Sequence, residues 1–421
     1  MDRYCHNVDD TSRAADPAAH DAGQEGPERR REARRWLVLA AGTVALTAGS
    51  CFQYGLAYLI PALRAGGLSL EEAGVLVACP TVGLLLTLVA WGAAADRWGE
   101  RLVLTSGLAA AGLVLLAATQ VHGTAALGAC LVVAGAAGAS VYAASGRLIL
   151  GWFAASERGL AMGIRQSSQP LGVAVAAVTL PSLAAHGLAA GLTFLGVFCL
   201  AAAMLVVAVV RDPALKAGRG AAGARSPYRA AALWRVHAAS ALLIVPQFTV
   251  ATFALIFLVS ARHWTAPAAG SLLALATTGG AASRLIAGYW SDRVGSRMRP
   301  MRALALAISA SLLVLAVAAN AASPLAVPAL LAAAVLAVST NGLAFTAVAE
   351  YAGPQWAGRA LGIQNTGQNL VAAVTPPAVA ALIGSSGYAA AFAVAGILPL
   401  IAASVIPVAA LDTAARATVA D

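Results

Sequence analysis

The stretch GAAADRWGER occupies residues 92–101, and a near copy, GYWSDRVGSR, occupies residues 288–297. Each decapeptide places an Asp-Arg pair and a later Arg between long apolar segments, in a chain that is 60% hydrophobic and only 11% charged. Asp96 of the first stretch matches Asp292 of the second, about half the chain further on. The repetition indicates that the chain consists of two related halves with the same charged turn at the same place.

The apolar segments are long enough to cross a lipid bilayer. Uncharged runs such as 102–146 and 360–411 are more than twice the roughly 20 residues that one spanning helix needs, so each must hold two helices and a turn. Turn formers at residues 122–124, 186–187, 320–324 and 384–387 divide the longest runs. We therefore predict an all-α membrane protein with twelve transmembrane helices near residues 36–61, 73–94, 102–121, 125–151, 160–185, 189–210, 236–260, 267–290, 301–320, 325–349, 360–383 and 388–411.

The basic residues orient the chain in the membrane. With both termini in the cytoplasm, only Arg64 and Arg262 of the 27 Lys and Arg residues fall in predicted outer loops. The sequence therefore predicts a multi-pass protein of the cytoplasmic (plasma) membrane with cytoplasmic termini. We interpret the net charge of +9 as a signal of membrane topology and as an attraction to the inner leaflet. We therefore expect the lipid bilayer, and no nucleic acid, as a partner.

A second repeat supports the division into halves. The stretch ERGLAMGIRQSSQ from Glu157 is echoed by AGRALGIQNTGQN from Ala357, again between equivalent spans. The first 35 residues end in an Arg-rich run without an apolar face and are typical of a disordered tail. The predicted domains are a disordered cytoplasmic tail (1–35), an N-terminal six-helix bundle (36–210), a cytoplasmic linker (211–235), a C-terminal six-helix bundle (236–411) and a cytoplasmic tail (412–421).

The repeated decapeptide resembles the signature of the major facilitator superfamily of secondary transporters. This resemblance implies two six-helix bundles around a central cavity, which opens alternately to either side as the halves rock. It also implies that the signature charges hold the cytoplasmic side shut in one state, with Asp96 pairing with Arg101 and facing a helix N-terminus of the other half. The alternative is that Arg97 and Arg101 only enforce topology. The candidate gating residues are Gly92, Asp96, Arg97, Gly99, Arg101, Gly288, Asp292, Arg293, Gly295 and Arg297.

Charged residues inside the predicted spans are all arginines, and a charge at that depth indicates function. Arg284 lies eight residues before Asp292, roughly 12 Å above the loop at 1.5 Å per residue. Its position resembles that of an eighth-span Arg that pairs with the substrate in carboxylate- and nitrate-type carriers of the superfamily, and a guanidinium suits an oxyanion. Arg165 and Arg147 are further candidates, with an interfacial or gating role as the alternative for both.

Neutral polar side chains at helical spacing complete the predicted binding site. Such residues also hold helices together in lipid, so each has a structural alternative. The predicted substrate-binding residues are Arg284, Arg165, Arg147, Gln53, Tyr54, Tyr142, Gln169, Gln247, Asn341, Gln364 and Gln368.

These features favour a secondary active transporter of a small organic anion such as a monocarboxylate; the alternative is an efflux carrier for a drug or secondary metabolite. No predicted span contains a buried carboxylate of the kind many drug-proton antiporters carry. Protons are a candidate partner: the substrate itself could carry the proton, or His237 could titrate near neutral pH, although an interfacial role for His237 is the stronger reading. We expect a monomer that is not an enzyme, with no cofactor and no metal, because no nucleotide-binding loop or metal-ligand spacing occurs.

Overall fold

The computed structural model describes residues 17–212 and 226–408, which are almost entirely helical. The helices are joined by tight turns, and short 3₁₀ or π segments occur at Leu56–Leu59, Pro227–Arg229 and Phe257–Ala261. The α-helices are α1 Pro17–Gly55, α2 Ile60–Ala65, α3 Leu70–Trp98, α4 Glu100–Ala118, α5 Thr124–Gly138, α6 Ser140–Trp152, α7 Arg158–Gln166, α8 Ser168–Ala184, α9 Leu188–Val209, α10 Ala231–Ile256, α11 Ala266–Val294, α12 Met298–Asn320, α13 Ala326–Ala337, α14 Thr340–Ala352 and α15 Ala357–Val405.

The outer surface is apolar, as a surface facing lipid must be. Leu86 is 74% exposed and Val178 is 80% exposed, and many other large apolar side chains point outward with them. Within the described residues, nine helical segments are long and apolar enough to cross a membrane. The chain is therefore an all-helical, multi-pass membrane protein.

The turns predicted inside the long apolar runs coincide with breaks in the helices. Gly123 and Gly187 have φ of +95° and +97° and precede α5 and α9, and Ala322 has φ of +51° between α12 and α13. Gly387, with φ of +78°, divides α15 into two helices. A positive φ is easily adopted by glycine, so these positions allow a sharp reversal between antiparallel helices.

The chain differs from expectation next to its first span. Helix α1 begins at Pro17, so the described part of the predicted disordered tail is helical. The run from Glu28 to Arg35 consists of strong helix formers, which allows the apolar helix to extend beyond the bilayer. The rest of that tail, most of the predicted linker and the C-terminal tail, residues 1–16, 213–225 and 409–421, lie outside the described residues.

Two large hydrophobic cores and a small cluster of Phe253, Val379 and Ala391 fill the interior of the described part of the chain. One consists entirely of residues between Val38 and Val210. The other consists mainly of residues between Leu233 and Ile406, joined by a few from the first half such as Phe153 and Met162. The N-terminal half (17–212) and the C-terminal half (226–408) therefore each have a core built mainly from their own residues, and the halves meet along a seam.

Candidate functional site

Asp96, at the end of α3, binds the N-terminus of α15 from the other half. Its two carboxylate oxygens accept hydrogen bonds from the backbone N–H groups of Gly358 (2.8 Å) and Arg359 (3.0 Å). The carboxylate is 3% exposed, and the guanidinium of Arg359 lies 3.9 Å from it. A buried negative charge at a helix N-terminus is stabilised by the helix dipole as well as by the two N–H donors.

Asp292, at the end of α11, makes the same contact in the opposite direction. Its oxygens accept hydrogen bonds from the backbone N–H groups of Gly159 and Leu160, both at 2.9 Å, at the N-terminus of α7. Each half thus inserts its signature carboxylate into a helix N-terminus of the other half. We call the Asp96 and Asp292 contacts together the latch, and the side of the molecule on which they lie the signature side.

Two pairs of glycines let the halves approach closely beside the latch. A Cβ atom on Gly92 would lie 2.2 Å from the carbonyl oxygen of Gly358, and one on Gly288 would lie 2.2 Å from that of Gly159. No real Cβ atom tolerates such a distance, so a side chain at either position would force the backbones apart. These glycines therefore permit the short distance across which the latch carboxylates reach their N–H donors.

The signature arginines have different surroundings in the two halves. Arg297 contacts Asp292 at 2.5 Å and Glu350 at 3.0 Å, and it also donates to the carbonyl of Ala155 in the other half. Burial lowers the pKa of the Arg297 guanidinium, but Glu350 and Asp292 raise it by more, so the pKa lies above its ordinary value. This guanidinium remains charged throughout the physiological pH range.

The expected pairing of Asp96 with Arg101 is not what the structure has. Arg101 donates its backbone N–H to Asp212 and its guanidinium to the carbonyl of Val207, both within the N-terminal half. Gly99 turns the chain with φ of +86°, which directs Arg101 toward the end of α9 and away from Asp96. Gly295 has φ of +63° and leaves Arg297 beside Asp292.

Arg97 and Arg293 lie outside the latch. Both are exposed, and each guanidinium stacks on an aromatic neighbour of its own helix, Trp98 at 5.7 Å and Tyr289 at 5.0 Å. This is the arrangement expected of side chains that enforce topology at the membrane surface.

Arg147, a predicted substrate ligand, belongs to the latch. Its guanidinium lies 3.6 Å from Asp96 and 2.9 Å from Glu100, and it donates to the carbonyls of Ala95 and Pro354. Pro354 belongs to the other half, so Arg147 joins the halves directly. Its charge is compensated by two buried carboxylates, which makes it a poor ligand for a further anion.

The molecule is closed on the signature side. Among the described residues, the hydrogen bonds and ion pairs that connect the halves all lie at the latch or directly between the latch and the centre of the molecule. The contact nearest the centre is the hydrogen bond that Asn365 donates to the carbonyl of Tyr142 at 3.2 Å. Arg158 and Glu350 add an ion pair across the same seam at 3.6 Å.

An open cavity lies between the halves, above this seam, and the empty space within it and at its mouth amounts to about 540 Å³. Helices α1, α6, α7 and α8 supply one wall, and α10, α14 and α15 supply the other. Its described lining is rich in amides and aromatic rings and contains no carboxylate. The lining residues are Leu46, Tyr54, Tyr142, Arg165, Gln166, Gln169, Ile244, Gln247, Phe248, Asn341, Phe345, Asn365, Gln368, Asn369 and Ala372.

Arg165 is the single charged side chain among these lining residues. It is 2% exposed, and its donors reach the hydroxyl of Ser145 (2.9 Å), the side-chain carbonyl of Gln166 (2.7 Å) and the backbone carbonyl of Tyr142 (3.0 Å). Its guanidinium also lies 5.5 Å from the ring of Phe345 in the other half. No described carboxylate pairs with it, so these neutral contacts hold a buried charge that is not compensated.

Arg284 lies behind the cavity wall in this conformation. It is 6% exposed and donates to the backbone carbonyls of Val338 (3.3 Å) and Gln166 (3.1 Å). The contact with Gln166 crosses the seam, so Arg284 belongs to the closure between the halves. Gln166 thus accepts from two unpaired arginines, Arg165 through its side chain and Arg284 through its backbone.

The structure divides the remaining predicted ligands into two groups. Tyr54, Tyr142, Gln169, Gln247, Asn341 and Gln368 line the cavity with Arg165. Gln53 instead donates to Thr81 between two helices of one half, and Gln364 contacts His237 and Ser240. Two cavity residues, Gln166 and Phe345, are not among the ligands predicted from the sequence. Gln166 directly follows Arg165 in the repeated stretch that begins at Glu157, so its position beside a candidate ligand could have marked it as a cavity residue. Nothing in the sequence distinguishes Phe345 from other aromatic residues.

A family model described as Major Facilitator Superfamily matches residues 37–376. The chain belongs to this superfamily. Two similar relatives are uncharacterized MFS-type transporters from strains of Mycobacterium tuberculosis, Rv2994 at 44% identity and MT3072 at 43%, each over 378 residues that cover 89% of this chain and 85% of the relative. The protein is therefore a membrane transporter of the major facilitator superfamily.

Solved structures of the superfamily share the fold at low sequence identity. The human organic anion transporter MFSD10 (TETRAN) has a TM-score of 0.69 at 16% identity and covers 88% of this chain and 99% of its own. The Escherichia coli fucose:proton symporter FucP has a TM-score of 0.71 at 13% identity (89% and 98%). A bacterial homologue of the iron transporter ferroportin, in an outward-facing state, has 0.66 at 14% identity (88% and 98%). Since these proteins carry unlike substrates, the fold does not identify the cargo.

Proposed function

We propose that this protein is a secondary active transporter that moves a small organic anion of the monocarboxylate kind across the cytoplasmic membrane by alternating access. The observation that carries the proposal is Arg165, a buried guanidinium at the cavity wall without a carboxylate partner. Every other described arginine at the seam except Arg284 has an acidic partner. An anionic substrate would supply the missing one.

The energetics favour an anion at Arg165. Charge-assisted hydrogen bonds in such a site contribute roughly 1.5–3 kcal/mol each, so a bidentate carboxylate would gain about tenfold or more in affinity per bond. The surrounding amides of Gln169, Gln247 and Asn341 can orient the remainder of a small polar molecule. The absence of a carboxylate from the described lining disfavours cationic substrates, which would face the unpaired guanidinium.

The architecture we propose has twelve spans in two six-helix bundles, 36–210 and 236–411, joined by a cytoplasmic linker at 211–235. The nine apolar segments become twelve when α15 is counted as two helices at Gly387 and the α7–α8 pair and α11 are added. The cytoplasmic location of both termini and of the signature side rests on the distribution of arginines. We further propose that the protein is a monomer.

The latch provides a gate for alternating access. With the signature side in the cytoplasm, the closed latch corresponds to a state in which the cavity faces outward, and release of Asp96 and Asp292 from their helix N-termini opens it inward. We propose that Gly92, Asp96, Gly288, Asp292, Arg147 and Arg297 form this gate. Arg284 would lose Gln166 on opening and would then face the inward cavity.

A second candidate is export of an anionic or neutral aromatic drug or secondary metabolite. The rings of Tyr54, Phe248 and Phe345 in the cavity lining favour this alternative, because they can stack on a planar ligand. An unchanged drug susceptibility of a pump-deficient host that expresses the protein would count against it.

The proposal is tested by transport into proteoliposomes. Uptake of radiolabelled L-lactate, pyruvate and benzoate is compared with that of glycerol and choline, for the wild type and for Arg165→Gln. We expect at least one carboxylate to be transported by the wild type and not by the variant, and choline by neither. Transport of choline, or full carboxylate transport by Arg165→Gln, would contradict the proposal.

A further inference from the structure

A chain of hydrogen bonds leads from the cavity to a histidine near the latch. Gln368 lines the cavity and donates to the hydroxyl of Ser240, which also accepts from Gln364, both at 2.5 Å. The side-chain carbonyl of Gln364 contacts Nδ1 of His237 at 2.5 Å, and Nε2 of His237 contacts the hydroxyl of Tyr228 at 3.0 Å. Each link is a direct side-chain contact, so Gln364, Ser240 and Gln368 connect His237 to the cavity lining.

His237 can take up a proton without breaking this chain. In the neutral form Nδ1–H donates to Gln364 and Nε2 accepts from Tyr228. In the charged form both nitrogens donate, and the oxygens of Gln364 and Tyr228 are in place to accept. His122, His186 and His263 lie in turns, so His237 is the only histidine within the described membrane-spanning segments.

Contacts also connect His237 with the latch. The ring of Tyr228 stacks on the imidazole at 5.8 Å and meets Trp356 edge-on at 6.3 Å. Trp356 is the N-cap residue of α15, the helix whose first N–H groups bind Asp96. Tyr228 and Trp356 therefore form a continuous row of contacts from His237 to the start of the helix that binds Asp96.

No charged group of the described residues compensates the imidazole directly. Its neighbours are Tyr228 of the 3₁₀ turn, Trp234 of its own helix and Gln364 of α15. Among the charged side chains of the packed elements, Arg235 bonds the carbonyl of Val405, Glu350 pairs with Arg297 and Arg158, and Arg359 lies beside Asp96. Arg229 of the 3₁₀ turn is exposed.

We propose that His237 is the site at which this transporter binds its coupling proton. This proposal rests on the proposed function. While Arg165 is unpaired, its positive charge at the cavity wall opposes a second positive charge on the hydrogen-bonded chain that reaches the same cavity at Gln368. An anion at Arg165 removes that opposition, so anion and proton each favour binding of the other, as linkage requires. One proton carried with one monocarboxylate moves no net charge, and the proton returns to water when the anion leaves.

The first experiment needs no substrate. Full-length protein with ¹⁵N-labelled histidine is titrated in nanodiscs between about pH 5 and 8, and His237 is assigned by the resonances lost in His237→Gln. Asp96→Asn opens the latch, and Gly288→Ala opens it from the other half without removing a charge. We expect His237 to titrate, and to bind its proton at least about threefold more tightly in both open variants because water then reaches the imidazole. His186 serves as the internal control and should not shift.

An imidazole that does not titrate in this range, or one that titrates identically in all three proteins, would overturn the proposal.

A second measurement connects the proton to transport. With L-lactate as the probe, an inward proton gradient should drive accumulation by the wild type, whereas His237→Gln should exchange L-lactate without accumulating it and His186→Gln should behave as wild type. Accumulation by His237→Gln would also overturn the proposal. Failure of the wild type to transport L-lactate or the other carboxylates would count against the proposed substrate class, and the titration would still decide the role of His237.

Discussion

Replacement of Gly288 by Ala should shift the protein toward the conformation that is open on the signature side. The added Cβ would lie 2.2 Å from the carbonyl oxygen of Gly159, whereas carbon and oxygen approach to about 3.3 Å at closest. The backbones of α11 and α7 must therefore separate by about 1 Å. The hydrogen bonds from Gly159 and Leu160 to Asp292, both 2.9 Å, would then exceed hydrogen-bond range.

Loss of these bonds sets the size of the effect. Two hydrogen bonds to a charged group are together worth roughly 3–6 kcal/mol, and water at the opened surface replaces part of that. With about 3 kcal/mol remaining, the ratio of open to closed molecules rises roughly a hundredfold. The fold itself should not suffer, because Ala is favoured over Gly inside a helix by about 1 kcal/mol.

The shift can be measured by double electron-electron resonance between spin labels at Arg97 and Arg293, which are exposed on the signature side of the two halves. The distance distribution should lengthen in Gly288→Ala. Gly270→Ala in the same helix is the matched control, since a Cβ at Gly270 meets no atom within 4 Å. A distribution for Gly288→Ala that matches wild type would refute the reasoning.

Three further predictions concern the polar contacts of the seam. Asp96→Asn and Asp292→Asn should each raise the open fraction by about tenfold in the same resonance measurement, since a neutral amide gains less from a helix N-terminus; an effect confined to one of them would show that the two contacts are not equivalent. Arg297→Ala should lower the free energy of unfolding by about 3 kcal/mol, and with it the melting temperature, because it leaves the buried carboxylate of Asp292 without its arginine and Glu350 with Arg158 alone, whereas Arg293→Ala should not; equal melting temperatures would be inconsistent with this. Arg101→Ala should cost about 1 kcal/mol of stability without changing the open fraction, because its side chain bonds Val207 within one half; a lengthened distance distribution would show instead that it belongs to the latch.

The superfamily could be predicted from the sequence, because its signature occurs twice and each copy is a short continuous stretch. The turns were also predictable, since Gly123, Gly187 and Gly387 lie where apolar runs exceed the length of one span. Helix α1 continued further than expected, because charged residues with high helix propensity do not end a helix.

The partners of buried arginines were less predictable, because they are chosen by contacts between distant helices. Depth in the membrane favoured Arg284 as the anion ligand, yet the approach of α7 and α11 places its guanidinium on backbone carbonyls. Arg165, for which an interfacial or gating role was the alternative, lies at the cavity wall. Arg147 and Arg165 are both buried, and only the fold shows that one has two carboxylates beside it and the other has none.

The central claim is that the unpaired charge of Arg165 selects an anion, and anion-dependent thermal stabilisation tests it most directly. Purified wild type and Arg165→Gln are heated with L-lactate, pyruvate, benzoate, glycerol or choline, because a ligand of the folded state raises the melting temperature according to its affinity. We predict that a carboxylate stabilises the wild type, that choline does not, and that Arg165→Gln melts no lower than wild type without ligand but gains nothing from the carboxylate. Equal stabilisation of both proteins by the carboxylate, or stabilisation by choline, would contradict the account.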